Sequence, residues 1–259
     1  AGDQIDRARQ LRAAVAALAA EHVADLRFAA LPLDAAAPRI VSGHATAATS
    51  DAQKTFDGDT TTTWRAGNGG QRLTYDLGAS SEFGGLRLDW ANDAQPDAYA
   101  VLASDDGRNW RTLREVSGSD GGRDWIALPE SEARFLAIEI GDSGRTVALA
   151  EIGVEPLAFA ATPNDFIASV AKDLPRGRFP RGFSGEQTYW TILGVDGGTE
   201  QGLIGEDGAV EVAKGGFSIE PFLFVDEALL GWADVVAAQS LQEGYLPIPS
   251  VDWMHADAA

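Results

Sequence analysis

The sequence contains no cysteine, one methionine and only 20 basic residues against 39 acidic ones. Without cysteine there are no disulfides, no thiolate nucleophile, and no zinc-finger or iron–sulfur ligand set. The formal net charge of −19 disfavours a nucleic-acid backbone or an anionic membrane surface as a partner. No stretch approaches the roughly 18 consecutive apolar residues of a membrane-spanning helix. These absences point to a globular protein without cysteine-based chemistry and without a membrane-spanning helix.

The length of the chain limits the number of domains, and its two ends suggest how it relates to a longer protein. The 259 residues, 45% of them hydrophobic, suffice for one large or two modest domains. The chain starts without methionine and without a basic-then-apolar signal segment, and residues 251–259 resemble the start of another strand. We therefore expect a mature or excised piece of a longer protein.

Four stretches in the middle of the chain alternate apolar and polar residues. Alternation with period two is typical of strands with one buried face, and turn residues such as Ser-Asp-Asp-Gly lie between the stretches. This pattern predicts an antiparallel β-sandwich or barrel. The apolar members are Leu73, Tyr75 and Leu77; Leu86, Leu88 and Trp90; Tyr99, Val101 and Ala103; and Leu136, Ile138 and Ile140.

The regions before and after these stretches have patterns of their own. Apolar residues at helical steps over 3–31 predict an amphipathic packing helix. After residue 161 a short helix ending before Pro175 is predicted, followed by further strands, one of them over 217–225. We expect three parts: a helix and connector (1–40), a β-sandwich domain (41–158) and a second, incomplete β-rich domain (159–259). The predicted class is mainly β.

The segment 56–64 concentrates oxygen atoms on a short loop. Asp57 and Asp59 flank Gly58, and four threonines and Trp64 follow. One interpretation is a rigid loop for a hard cation such as calcium. The other is an Asp-Gly turn between strands, with the β-branched threonines starting the second strand. The local sequence leaves both open.

Six stretches together resemble a discoidin domain, also called a coagulation factor five/eight type C domain. Sugar-binding bacterial members of this family form carbohydrate-binding module family 32. The resemblance runs from about Ser42 to Pro156 and implies a discoidin-like jelly roll. The matching stretches, in order, are 56–59 with Thr62 and Trp64, then 73–78, 85–90, 99–110, 133–138 and 150–154.

The resemblance also implies specific roles for the oxygen-rich loop. In this family a structural calcium often lies where the Asp-Gly loop meets an acidic residue of the last strand. Carried over, it implies Asp57, Asp59 and Thr62 as calcium ligands, with Glu151 closing the site. Trp64 corresponds to a position that is usually packed in the core.

The function expected from this resemblance is binding of a neutral glycan or polysaccharide, which tolerates the acidic field better than a polyanion does. Sugar recognition needs an exposed aromatic face and side chains with several hydrogen-bonding groups. The candidates on loops at strand ends form three pairs: Trp90 with Asn92, Arg65 with Asn68, and Arg123 with Trp125.

The most distinctive pieces of residues 162–259 are Gly182-Phe183-Ser184-Gly185-Glu186 and Pro247-Ile248-Pro249-Ser250. With the strand pattern around them they resemble, more loosely, the N-terminal β-sandwich that precedes an (α/α) barrel in several large bacterial glycoside hydrolases. This implies an extracellular or periplasmic protein with a covalently attached catalytic domain beyond this chain. Two alternatives stay open. The domains are structural or bind proteins, or the second domain itself hydrolyses glycosides through carboxylates such as Glu186 and Glu220.

Overall fold

The computed structural model of the protein describes residues 36–46, 51–66, 69–142 and 144–255. Strands make up 45% and helices 10%, which confirms the mainly β class. The helix predicted over 3–31 lies outside the described residues. No helix within the described ranges is long and apolar enough to cross a bilayer.

Seven antiparallel strands form the N-terminal domain. Their order in the sheet is β2-β7-β3-β6-β4-β5, and β1 pairs with β3 on its other side. A short 3₁₀ helix, Ala52–Thr55, precedes β2 and another, Leu157–Phe159, follows β7. The strands are β1 (Ser42–Ala45), β2 (Trp64–Arg65), β3 (Gln71–Trp90), β4 (Ala98–Ser104), β5 (Arg111–Ser117), β6 (Arg123–Ile140) and β7 (Ala148–Glu155).

Two long strands, β3 and β6, connect the layers of the sandwich. They pair with each other from Gln71↔Ile140 to Asp89↔Arg123, interrupted by two register shifts. The first half of β3 also pairs with β1, whereas its second half pairs with β7. Each long strand therefore takes part in both layers, and the register shifts allow the bend between them.

The core lies between these layers and contains the apolar members of the alternating stretches. Trp64 is fully buried, which confirms its predicted place in the core. Tyr75 is fully buried as well, and its hydroxyl lies 3.0 Å from Thr55 Oγ1. Burial of each such side chain contributes roughly 1.5–3 kcal/mol.

Backbone hydrogen bonds gather several loops at one end of the sandwich. The loop after β2 donates from Ala66 N to Val147 O (2.8 Å). The loop after β3 donates from Ala91 N to Ala148 O (3.0 Å), and Ala148 N donates back to Ala94 O (2.8 Å). Sequence-distant side chains are thereby brought together at this end, which we call the loop end.

The C-terminal part begins with helix α1 (Pro163–Asp173), whose N-cap Thr162 accepts from Asp165 N. Its four-stranded sheet has the order β11-β10-β9-β8, followed by two two-stranded ribbons, β12 with β13 and β14 with β15. The bounds are β8 (Trp190–Leu193), β9 (Gly202–Gly205), β10 (Val210–Glu211), β11 (Ser218–Ile219), β12 (Leu223–Val225), β13 (Ala228–Leu230), β14 (Val236–Leu241), the 3₁₀ helix Gln242–Gly244 and β15 (Pro249–Met254).

Most predictions for this part agree with the structure. The helix ends before Pro175, and the hairpin between β9 and β10 turns through Gly208, whose φ is +88°. The single strand predicted over 217–225 is wrong, because the chain forms β11 and β12 with Glu220–Phe222 between them. Pro221 in this interruption has no N–H to donate to a ladder.

We predict that Gly85→Ala destabilises the sandwich. A Cβ at this position would collide with the ring of Phe159 and lie 2.8 Å from Ile126 O. Overpacking of this kind costs about 1–3 kcal/mol. Urea denaturation measures the loss. Gly141→Ala is the control, since its Cβ meets no atom within 4 Å; equal stability of the two variants would contradict the prediction.

Candidate functional site

The last residue of α1 contacts the sandwich through a set of cationic and aromatic side chains. Asp173 Oδ2 accepts hydrogen bonds from Arg87 (3.1 Å) and Trp125 Nε1 (3.0 Å), and Arg123 lies 3.7 Å away. Burial alone would raise the pKa of Asp173, but the hydrogen bonds from Trp125 and Arg87 outweigh it and lower the pKa. This carboxylate fixes α1 to the N-terminal domain.

Next to this contact lies an open cavity of about 540 Å³ at the loop end, which we call the sandwich cavity. Four of the six predicted sugar-binding residues line it: Trp90, Asn92, Arg123 and Trp125. Their grouping depends on the pairing of β3 with β6, because Trp90 ends one strand and Arg123 begins the other. The sequence predicted Trp90 with Asn92 and Arg123 with Trp125 as separate pairs, and did not predict that the two pairs share one cavity.

The prediction that Trp90 offers an exposed ring face to a sugar is wrong. Only 4% of it is exposed, and its Nε1 donates to Asp124 Oδ2 (2.8 Å). The same oxygen accepts from the hydroxyls of Tyr99 (2.7 Å) and Ser119 (3.0 Å). Three donors on one carboxylate oxygen make a polar cluster that positions the wall of the cavity.

The remaining side chains of the cavity differ in their exposure and in the hydrogen bonds that they already make. Arg123 is bound by both oxygens of Asp89, from Nε (2.5 Å) and Nη2 (3.1 Å), and this bidentate pair raises its pKa. Trp125 is half-buried and Asn92 is exposed. An incoming molecule therefore meets an indole, an amide and a guanidinium that is already paired with Asp89.

Ala66, which follows Arg65 of the predicted pair Arg65 and Asn68, lines a second, polar cavity of about 310 Å³ at the loop end. Arg65 is exposed on β2, and Asn68 lies outside the described residues. Ala66, Gly69 and Thr146 line this cavity together with Arg145, which donates to Asp97 (2.7 Å). Sequence reasoning missed the loop before β7, because it carries no aromatic or paired motif.

The oxygen-rich loop forms a compact hydrogen-bond network around Thr62. Its Oγ1 lies 2.9 Å from Asp57 Oδ2, 3.2 Å from the carbonyl oxygen of Asp59 and 3.3 Å from that of Lys54. The Asp59 carboxylate is turned away and accepts from both the hydroxyl and the N–H of Thr61, which lower its pKa. Asp59 therefore offers its carbonyl oxygen to the cluster.

Glu151 on β7 completes the same region. Burial and, to a lesser extent, the charge of Asp57 raise its pKa to about 7, against a hydrogen bond from the Gly58 N–H that lowers it. Its Oε2 is buried and has no hydrogen-bond partner in the described part of the chain. A buried carboxylate oxygen beside the loop that carries Asp57 is the type of ligand that a hard cation such as calcium prefers. Within the described ranges, however, no group of three acidic or histidine side chains is close enough to hold a metal.

The two weak catalytic candidates lie in different environments. Glu186 is paired with Arg176 through two hydrogen bonds of 2.7 Å, which lower its pKa. A general acid in glycoside hydrolysis needs the opposite shift. Burial raises the pKa of Glu220, as does the charge of Asp207 beside it. Glu220 lines a cavity of the C-terminal part whose lining does not include Glu186.

Residues 40–152 match the family model of the F5/8 type C domain, which confirms the resemblance seen in the sequence. A search of curated proteins finds no match. Among solved structures, the chain is similar to the chitosan-binding module 1 of a chitosanase/glucanase from Paenibacillus sp. IK-5, with 25% identity and a TM-score of 0.42 over 45% of this chain and 96% of that one.

Two further solved structures have comparable similarity. One is the module CpGH89CBM32-5 from Clostridium perfringens in complex with GalNAc-β-1,3-galactose, with 22% identity and a TM-score of 0.41 over 44% of this chain and 94% of that one. The other is the CBM32 of AlyQ in complex with 4,5-unsaturated mannuronic acid, with 22% identity and a TM-score of 0.42 over 46% and 96%.

We predict that Asp173→Asn weakens the attachment of α1 to the sandwich. The amide keeps the shape but removes the negative charge that faces Arg87 and Arg123. Because these groups are partly exposed, the expected loss is about 1 kcal/mol in urea denaturation. The control is Asp97→Asn, which removes the more exposed pair with Arg145 and should cost less than about 0.5 kcal/mol. Equal losses would argue against a special role for Asp173.

Proposed function

We propose that the F5/8 type C domain of residues 40–152 binds a neutral glycan in the sandwich cavity. The observation that carries this proposal is the convergence of Asn92, Trp125 and the Asp89–Arg123 pair in one cavity at the loop end. An apolar ring face with a few oriented polar groups is the usual composition of a small-ligand site. The family match supports the same assignment.

Each group in the cavity has a distinct task in this proposal. The part-exposed ring of Trp125 offers a surface for the C–H face of a sugar ring. Asn92 supplies both a donor and an acceptor for hydroxyl groups. Asp89 accepts hydrogen bonds and is held in place by Arg123, which leaves its carboxylate oriented but partly neutralised. A neutral polyol suits this balance of charge.

We also propose a structural calcium held by the oxygens around Thr62. Asp57 and Thr62 would bind through side-chain oxygens, Asp59 and Lys54 through carbonyl oxygens, and Glu151 would close the site. The ion would compensate the buried carboxylate and rigidify the loop. Thr60 of this loop lines the sandwich cavity, so the ion would also support the glycan site. A motif search that considers only side chains would not find the carbonyl ligands of Asp59 and Lys54.

The wider context is part of the proposal. The softer resemblance of residues 162–259 supports an exported protein, extracellular or periplasmic, in which this chain accompanies a glycoside hydrolase domain. The lowered pKa of Glu186 speaks against Glu186 as the general acid of a glycoside hydrolase. The alternative is a purely structural or protein-binding role, and the glycan-binding experiment described next distinguishes it from glycan binding.

We predict that a glycan array detects binding of a neutral glycan to the full chain. Asn92→Ala should weaken this binding at least about tenfold, because a lost bidentate contact costs on the order of 1.5 kcal/mol. Trp125→Ala should weaken it similarly, although it also removes the contact to Asp173. Titration calorimetry with the best glycan from the array measures both effects.

The matched control for this test is Asn109→Ala. Asn109 lies in the turn between β4 and β5, at the far end from the cavity, and its side chain contacts Asp106. This variant should bind glycan like the parent protein. If no glycan binds with or without a chelator, or if Asn92→Ala and Asn109→Ala behave alike, the assignment of the sandwich cavity fails.

For the calcium site, titration calorimetry on chelator-treated protein should show one bound calcium and a higher thermal midpoint on binding. Asp57→Asn should lower the calcium affinity at least about tenfold, since a charged ligand is lost. Asp105→Asn, an exposed acid of the far turn, is the matched control. Undiminished calcium binding by Asp57→Asn would exclude this loop as the site.

A further inference from the structure

A second cavity lies entirely in the C-terminal part, between α1 and the four-stranded sheet. Its volume is about 650 Å³, within the range of small-molecule sites, and all its lining residues follow residue 163. We call it the acidic cavity. Its polar lining includes Asp165, Arg181, Asp207 and Glu220, and its aromatic lining includes Phe183 and Trp190.

Asp207 is the most unusual group in this lining. Its side chain is 5% exposed, and Oδ2 accepts a hydrogen bond from Arg181 Nε (3.0 Å). Oδ1 is buried and has no hydrogen-bond partner among the described residues. A buried carboxylate oxygen without a donor costs about 1–3 kcal/mol or more, so such an atom commonly marks a position where another molecule donates.

The unpartnered oxygen lies close to an aromatic ring. A Cβ built on Gly205 would be 2.9 Å from Asp207 Oδ1 and 3.5 Å from Cζ3 of Trp190. The two groups therefore flank the same glycine, and the absence of a side chain there leaves room for both. Trp190 is 39% exposed, so its indole retains surface for a ligand.

The charge of the acidic cavity is negative. Among the described residues Arg181 is the one cation in its lining, and it is already shared among Asp207, Glu206 and Glu186. Asp165 belongs to the helix cap with Thr162. No described residue forms an ion pair with Glu220, whose pKa is raised by burial and by the charge of Asp207. A positively charged ligand would relieve both carboxylates.

We propose that the acidic cavity binds an organic ammonium group, with Asp207 and Glu220 as acceptors and Trp190 as the aromatic face. An ammonium supplies the donor that Asp207 Oδ1 lacks and interacts favourably with an indole. A bare metal ion fits less well, because no set of three acidic side chains converges within the described residues. This site is separate from the sandwich cavity and does not depend on glycan binding there.

The test uses the full chain and three probes of similar shape: 2-phenylethylammonium, 2-phenylethanol and phenylacetate. Nuclear magnetic resonance titration measures the affinities. The ammonium should bind at least about tenfold more tightly than the alcohol, and phenylacetate should bind more weakly than either. Equal affinity for the ammonium and the alcohol would overturn the proposal.

Two variants locate the binding. Glu220→Gln and Trp190→Leu should each reduce ammonium affinity at least about fivefold, whereas Glu200→Gln, the same change at an exposed position, should not. Asp207 is left intact because it also holds Arg181. Thermal unfolding of each variant shows that it is folded. If Glu220→Gln binds like Glu200→Gln, or if Asn92→Ala abolishes the ammonium binding, the acidic cavity is not the site.

Discussion

The antiparallel ladder between β3 and β6 is the constraint on which the N-terminal domain depends. Both strands bend across the two layers, so their pairing closes the core and also places Asp89 opposite Arg123 at the loop end. The bidentate contact between these two side chains follows directly from the register. A slip of one residue would turn the apolar side chains of β3 away from the core and separate the groups of the sandwich cavity.

Ion pairing in this acidic chain shapes what each cavity can bind. Arg123 is held by Asp89 and lies near Asp173, and Arg181 is held by Asp207 and its neighbours. With these guanidinium groups already neutralised, neither cavity offers a strong anion site. The sandwich cavity presents an amide and an indole, which suit hydroxyl groups, whereas the acidic cavity retains an unpartnered carboxylate oxygen, which suits a cation.

The contact at Asp173 links the two regions. It joins α1, whose residues line the acidic cavity, to Arg87 and Trp125 of the sandwich. Trp125 thus lies in the wall of the sandwich cavity and contacts the end of α1 at the same time. Trp125 is consequently positioned by a carboxylate from outside residues 40–152, the span that matches the F5/8 type C model.

The sequence by itself determined the alternating stretches of the sandwich, the helix before Pro175 and the burial of Trp64, because period-two alternation and turn residues are local signals. It also nominated Asn92, Arg123 and Trp125, which the fold brings into one cavity. Only the tertiary structure decided that Trp90 is buried, because burial depends on partners such as Asp124, 34 residues away. The unpartnered oxygen of Asp207 was likewise decided by packing, since hydrogen-bond satisfaction depends on contacts that no local pattern encodes.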